Sequence, residues 1–396
     1  MSASIRFKPA ARTADISPFR VMTVLERARE LESQGRSIIH LEVGEPDFST
    51  AQPIVEAGRE ALARGCTAYT PAAGLPQLRE RIAQHYKDSQ GVEIDPGRII
   101  VTPGASGGLS LLAQLLVNPG DRILLPDPGY PCNRHFVRLA GGEAQLVPVT
   151  AHSGYQLKPE LLEPYANAPV RGVWAASPGN PTGTTLDIDA LAALSRWCDR
   201  QDAHLLVDEI YHGLDYSEGL PSVLRVSQDA IVVNSFSKYF GMTGWRLGWF
   251  VVPQVLVEAS HILAQNLFIA ASTPAQHAAL RAFDEDTREI LEARRRAFAQ
   301  RRDFLSAVLK ELGFTVAVEP LGAFYLYAGI EKFSGDCEHL CRVLLEEFGL
   351  AVTPGTDFGE YLSRLHVRFA FTTSMENLEI AADRLRAAVA SGKLSA

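Results

Sequence analysis

Asn234-Ser-Phe-Ser-Lys-Tyr-Phe-Gly-Met-Thr-Gly-Trp-Arg-Leu-Gly248 says more than any other stretch of this chain. An apolar, strand-like segment, Ala230–Asn234, runs into it, and another, Leu247–Val252, runs out of it. Between them Lys238 follows two serines, Arg246 comes one loop later, and glycines stand at 241, 244 and 248. The same alternation extends outward from Arg98 to Glu285. Candidate strands are Ile99–Thr102, Ile123–Leu125, Ala144–Val149, Gly172–Ala176, Leu205–Asp208, Ile231–Asn234 and Leu247–Val252. Most are short continuous apolar runs, the pattern of strands covered on both faces. Helical patterns such as Ser106–Val117 and Ile188–Arg200 lie between them. The expected fold class is α/β: a mostly parallel seven-stranded sheet with helices on both faces.

Beyond Glu285 the pattern changes. Glu285–Leu312, rich in Arg, Glu and Ala, reads as one long helix. Phe314–Val318, Phe324–Tyr327 and His366–Phe371 read as strands, and Cys337–Phe348 and Glu376–Ala390 as helices. The N-terminal segment, with its helix Val21–Gln34 and apolar Ile39–Val43, is expected to join this smaller α+β domain. The expected division is 1–45 (joining the small domain), 46–285 (large domain) and 286–396 (small C-terminal domain).

Composition narrows the function. With 46% hydrophobic and 21% charged residues, the 396-residue chain can bury a substantial core. A formal charge of -8 argues against a nucleic-acid or anionic-membrane partner. Met1–Pro18 has no apolar h-region, so a cytoplasmic protein is expected. The apolar stretch Leu247–Ala275 is broken by Pro253, Glu258 and His261 and reads as a strand followed by a buried helix, not a membrane span. Cys337 and Cys341 are one helical turn apart, but no second Cys/His pair stands near to complete a zinc site, so core packing is the expectation.

Four loops carry chemistry. An amine that must form a Schiff base needs a fixed position, polar neighbours and room for a flat cofactor, and Lys238 has serines beside it and Arg246 as a phosphate partner. This suggests pyridoxal 5'-phosphate chemistry. Thr102-Pro-Gly-Ala-Ser-Gly-Gly108 follows a strand and opens a helix, which aims free N–H groups at an anion, with Ala105 and Ser106 as candidate contacts. Asp208 ends the apolar run Leu205–Val207, where a carboxylate can keep a pyridine nitrogen protonated, and Tyr211 adds a phenol. Each also has a plainer reading, as a tight turn, an acidic strand cap or a packed aromatic. Ser177-Pro-Gly-Asn-Pro-Thr-Gly183 presents the amide of Asn180, and either X–Pro bond there is a candidate cis peptide.

Taken in order, the glycine-rich turn, Asn-Pro-Thr-Gly, Asp-x-x-Tyr, Ser-x-Ser-Lys and the arginine resemble the class I/II aminotransferases of pyridoxal phosphate fold type I, from about Gly44 to Arg368. The resemblance implies that Lys238 is the Schiff-base lysine. It further implies that Ser106, Ser235, Ser237 and Arg246 hold phosphate, that Asp208 pairs with the pyridine nitrogen, and that Asn180 and Tyr211 hold the ring oxygen. Tyr130, in Asp127-Pro-Gly-Tyr130, matches the aromatic stacked on the ring. Arg368 matches the arginine that binds the substrate α-carboxylate, which a guanidinium does with two parallel hydrogen bonds. Gly44 matches the backbone approach to that carboxylate. Tyr69 matches a tyrosine that reaches the phosphate of a neighbouring subunit, which implies a homodimer with shared active sites. The implied reaction moves an amino group from an L-amino acid to a 2-oxo acid in ping-pong order.

The segment His261–Thr273 holds no arginine, which weakens an aspartate preference. Ile16, Phe19 and Phe324 are expected as apolar pocket walls favouring neutral or aromatic amino acids, while Arg20 or Arg134 remain candidate second cations. A β-eliminating carbon–sulfur lyase of the same fold is the alternative, since it shares the Lys, Asp and Arg set. A regulatory protein is disfavoured because no basic helix-turn-helix pattern precedes Gly44. A nicotinamide dehydrogenase is disfavoured because no strand is followed by the dinucleotide fingerprint.

Overall fold

The computed structural model describes residues 8–217 and 219–395, so the first seven residues of the N-terminal segment considered above lie outside the described residues. In chain order the strands are β1 (Ile39–His40), β2 (Ile99–Thr102), β3 (Arg122–Asp127), β4 (Glu143–Pro148), β5 (Gly172–Ala176), β6 (His204–Asp208), β7 (Ile231–Ser235), β8 (Gly248–Val251), β9 (Tyr325–Gly329), β10 (Leu350–Ala351), β11 (Thr353–Pro354) and β12 (His366–Ala370). Seven of them form one sheet in the order β2-β8-β7-β6-β5-β3-β4. Only β8 runs antiparallel to its neighbours β2 and β7. The expected mostly parallel sheet is therefore present, its strands within a residue or two of the sequence reading.

Burial explains why these strands read as unbroken apolar runs. Along β5, Val173 and Ala175 face one core while Trp174 faces another. Leu205 and Val207 alternate with Leu206 on β6, and Trp249 and Val251 with Phe250 on β8. Side chains alternate across a strand, so a sheet covered on both sides must be apolar at every position. Because β2, β5, β6 and β7 are mutually parallel, their C-terminal ends open on one edge of the sheet, where ligands of α/β folds gather.

A second region contains the three-stranded antiparallel sheet β11-β12-β9 and the parallel pair β1-β10. Helices Arg20–Ser33, Cys337–Phe348 and Met375–Ala390 surround these strands, and helix Glu285–Leu312 leads into them, ending at Gly313 in the left-handed conformation (φ +94°). Cys337 and Cys341 are buried thiols within this core, as packing requires.

Two expectations need correction. Phe314–Val318 is not a strand: only Thr315 pairs, in an isolated bridge to Gly329. The segment meets β9 at that strand's last residue, so its alternation reflects packing of Phe314 and not a ladder. The helix after β8, Val257–Leu267, is not buried. Only Ser260 and Ala264 are fully buried, Val257 and Leu263 pack partly against the core, and Ile262 and Leu267 are about half exposed.

Candidate active site

The strand ends deliver the expected residues to one cleft. Its lining includes Phe19, Gly44, Ala105, Ser106, Tyr130, Asn180, Asp208, Tyr211, Ser235, Ser237, Lys238, Arg246 and Arg368. Its volume, about 220 Å³, is room for a small planar ligand and not only for a few waters.

At one end lies an anion cradle. Beyond β2 the helix Gly104–Leu116 begins with its free N–H groups toward the cleft. Arg246 adopts a left-handed backbone (φ +54°) and brings its guanidinium over that helix start. Gly104 itself has φ +73°, which favours glycine, and a Cβ there would stand 2.6 Å from Arg246 Nη2 and push the guanidinium aside. Ser235 and Ser237 share a hydrogen bond of 3.0 Å, and the Ser237 amide donates to Ser235 Oγ at 3.0 Å. Hydroxyls, a cation and helix N–H groups are the donor set a phosphate requires.

At the floor Asp208 is buried, and its Oδ1 accepts the Ile210 amide at 3.1 Å. Burial raises its carboxyl to about 7, against smaller opposing effects of that hydrogen bond and the Lys238 charge. A buried carboxyl with one neutral donor suits a cationic N–H partner. Lys238 Nζ donates to the Gly44 carbonyl at 2.6 Å. Its ammonium is pulled down to about 8, chiefly by burial, with Glu45 opposing and Arg368 and Arg246 reinforcing. An amine with that value is a base near neutral pH.

Arg368, on β12, is buried, yet it meets only neutral oxygens. Nη1 donates to Asn180 Oδ1 at 2.9 Å and Nη2 to the Glu42 carbonyl and, at 3.3 Å, to Thr353 Oγ1. Its Nε has no partner among the described residues. The Tyr325 and Phe358 rings lie 4.3 and 4.8 Å from the guanidinium carbon. A buried cation with an orphaned donor fits a carboxylate ligand.

Tyr130 lines the cleft edge-on to Phe19, with centroids 6.3 Å apart. Both X–Pro bonds of the Asn180 loop, Ser177–Pro178 and Asn180–Pro181, are cis. Phe324 is not a cleft wall: it packs edge-on to Tyr211 beneath the site, 5.6 Å from Lys238 Nζ. The cleft-facing aromatic is its neighbour Tyr325, which the sequence reading missed, along with Val21, Met22, Val43 and Thr243. Neighbouring aromatics on an extended segment point to opposite sides, and nothing local in the sequence decides which one faces the site. Ile16 does not line the cleft. The Arg20 guanidinium pairs with Glu338, and Arg134 donates to the Asp357 carbonyl at 2.6 Å, so neither supplies a second cation to the lining. Tyr69 lies outside the cleft and is 81% exposed.

The sequence model of aminotransferase class I and II matches residues 36–385, and the chain belongs to that family. It is an aminotransferase, of a family that uses pyridoxal phosphate. It is 36% identical over 378 residues to the valine–pyruvate aminotransferase of Mycobacterium tuberculosis, covering 95% of this chain and 97% of that one. It is also 36% identical to the aspartate/prephenate aminotransferase of Thermus thermophilus, covering 94% and 96%. Among solved structures, an aminotransferase from Mycobacterium tuberculosis superposes with a TM-score of 0.94 at 35% identity, covering 97% of this chain and all of that one. The Thermus thermophilus aspartate aminotransferase with maleate gives 0.91 at 35% identity, with the same coverage.

Proposed function

We propose that this aminotransferase binds pyridoxal 5'-phosphate at Lys238 and moves the amino group of a neutral or aromatic L-amino acid to a 2-oxo acid. The observation that carries this reading is the disposition of three groups around one cleft: the Lys238 amine on the Gly44 carbonyl, buried Asp208, and Arg368 with its orphaned Nε. Ala105, Ser106, Ser235, Ser237 and Arg246 hold the phosphate, Asp208 the ring nitrogen, Asn180 and Tyr211 the ring oxygen, and Tyr130 the ring face. When bound, the cofactor supplies a conjugated ring that takes up the electron pair left when the substrate Cα–H bond breaks. Arg368 and Asn180 hold the substrate carboxylate beside Gly44. The Lys238 amine, neutral above about pH 8, takes the Cα proton as general base and later returns one, with the Gly44 carbonyl orienting Nζ.

The side-chain preference rests on the walls. Phe19, Val21, Met22 and Val43 line the cleft, and its lining cations, Lys238, Arg246 and Arg368, are each engaged by the cofactor or the α-carboxylate. The homodimer rests on an exposed apolar patch. Val255, Ile262, Leu267 and Ile269 are each more than half exposed or close to it, and Thr273 Oγ1, donating to the Ala68 carbonyl at 2.7 Å, ties the Tyr69 loop to this segment. A second copy of the chain there would bring its own Tyr69 toward this site. Five free thiols fit a reducing compartment, and we place the enzyme in the cytoplasm. The chain divides functionally into 46–285, which carries the cofactor groups, and the flanking 1–45 and 286–396, which carry Gly44 and Arg368.

The test is borohydride reduction of the cofactor-loaded protein followed by peptide mapping, then an amino-acid panel with identification of the 2-oxo acid products. Label on Lys238, absent in Lys238→Ala, and turnover of neutral or aromatic amino acids are expected. Label elsewhere would remove Lys238 from the mechanism. Turnover confined to aspartate and glutamate would overturn the pocket reading. Pyruvate and ammonia released from cysteine conjugates without an acceptor would favour the lyase.

A further inference from the structure

A Cβ on Gly44 would overlap the hydroxyl oxygen of Tyr325. That same hydroxyl is 2.9 Å from the Tyr211 hydroxyl, and the Tyr325 ring lies against the Arg368 guanidinium, 4.3 Å from its carbon. Register explains the placement. Across β9 and β12, Arg368 is paired with Tyr327 and Ala370 with Tyr325. Tyr325 is two residues from Tyr327, so it is the diagonal neighbour of Arg368 on one sheet face. The side chain is buried and reaches the cleft. Tyr325 therefore touches three elements at once: the phenol on Asp208's loop, the glycine whose carbonyl holds Lys238, and the guanidinium of β12.

We propose that Tyr325 is a positioning residue that couples the ring-oxygen donor Tyr211 to the carboxylate-binding Arg368. The inference rests on the cofactor reading above. A phenol has one proton. If Tyr211 spends its proton on the ring oxygen, its own oxygen needs a donor, and the Tyr325 hydroxyl is the donor within reach. That bond polarises Tyr211 and makes it a stronger donor. The Tyr325 ring meanwhile supplies a π face to a guanidinium that otherwise meets neutral oxygens and the Phe358 ring. The hydroxyl and the ring thus have separable tasks, and Gly44 is the residue that leaves room for the hydroxyl.

The experiment compares Tyr325→Phe and Tyr325→Leu holoenzymes with wild type, without turnover. Two quantities are read: the pH midpoint of the bound cofactor's absorbance, and the Kd for propionate followed through the same absorbance. Tyr325→Phe removes one hydrogen bond to Tyr211, so the midpoint should rise by about half a pH unit while propionate affinity changes less than about twofold. Tyr325→Leu should show the same midpoint rise and bind propionate roughly five- to tenfold more weakly, because the guanidinium loses its aromatic face. A Phe variant that titrates like wild type, or a Leu variant that binds propionate as tightly, overturns the proposal. Should Tyr325→Leu fold poorly, the pairing of Gly44→Ala with Tyr325→Phe decides the point: the alanine should lower the thermal midpoint less in the Phe background than in wild type, and equal losses refute the contact. A wild-type protein that takes up no chromophore sinks the cofactor reading itself, which the Tyr325 comparison does not.

Discussion

Asp208→Asn should make the cofactor-free protein more stable at neutral pH while ruining its use of the cofactor. Burial lifts this carboxyl from an ordinary 3.8 to about 7. Between those values the unfolded chain has lost the proton that the folded chain keeps. Its contribution is therefore fully favourable below about pH 4 and is lost as pH rises through about 7. Each tenfold change in proton affinity is worth about 1.36 kcal/mol, so forcing the buried carboxylate to ionise costs the fold about 4 kcal/mol above neutrality. Asparagine cannot ionise, and its side-chain oxygen can still accept the Ile210 amide that now bonds Asp208 at 3.1 Å. Urea unfolding of both cofactor-free proteins from pH 4.5 to 8 measures the difference directly. The two should be similar at the acid end, and the variant should be ahead by about 2–4 kcal/mol at pH 8. All other titrating groups are common to both proteins, and neighbouring Glu209, which feels the Asp208 charge, has its carboxyl raised mainly by its own burial. In the loaded enzyme the order should invert, because wild-type Asp208 then meets a protonated ring nitrogen. A stability difference that does not change with pH would show that burial does not hold Asp208 neutral, and the argument for a cationic partner would fall with it.

The rate of covalent cofactor capture should rise with pH through about 8 as Lys238 loses its proton, followed by the absorbance change between pH 6.5 and 9; a flat profile would mean that the amine is already neutral. Arg301 is buried and makes two hydrogen bonds to Asp47, at 2.7 and 3.0 Å, with Phe48 and Phe298 against its guanidinium. Asp47→Ala strands that buried cation and should cost about 3 kcal/mol, whereas Arg301→Met leaves behind a carboxylate that reaches water and should cost less; urea midpoints of the two variants check the order. Ile269→Asp, on the exposed patch beside the Tyr69 loop, should shift the sedimentation profile toward monomer and lower activity together; a variant that stays fully dimeric would place the interface elsewhere.

The large sheet was legible because its physics is local. A strand covered on both faces must be apolar along its length, and a strand end that meets a ligand turns polar; β6 and β7, which stop at Asp208 and Ser235, do both. Lys238 stands out by its own neighbours, whereas Asp208 and Arg368 alone read as a strand cap and a surface cation and stand out only through the ordered family resemblance; all three reach the cleft. What stayed hidden depends on partners distant in the chain. Phe314–Val318 has strand-like alternation but meets β9 only at its end. The helix Val257–Leu267 looks buried by composition, yet its outward residues have no cover within one chain. Tyr325 is the sharpest case. Phe324 and Tyr325 are equally plausible walls on paper, and only the β9–β12 register turns the tyrosine toward Arg368 and the phenylalanine away. Gly44 then acquires a reason. A glycine in a loop is usually explained by its own backbone, but this one has an ordinary φ and is constrained instead by a hydroxyl from a strand far along the sequence. The glycine at this wall of the cleft was visible in the sequence; the residue that forces it to be glycine was not.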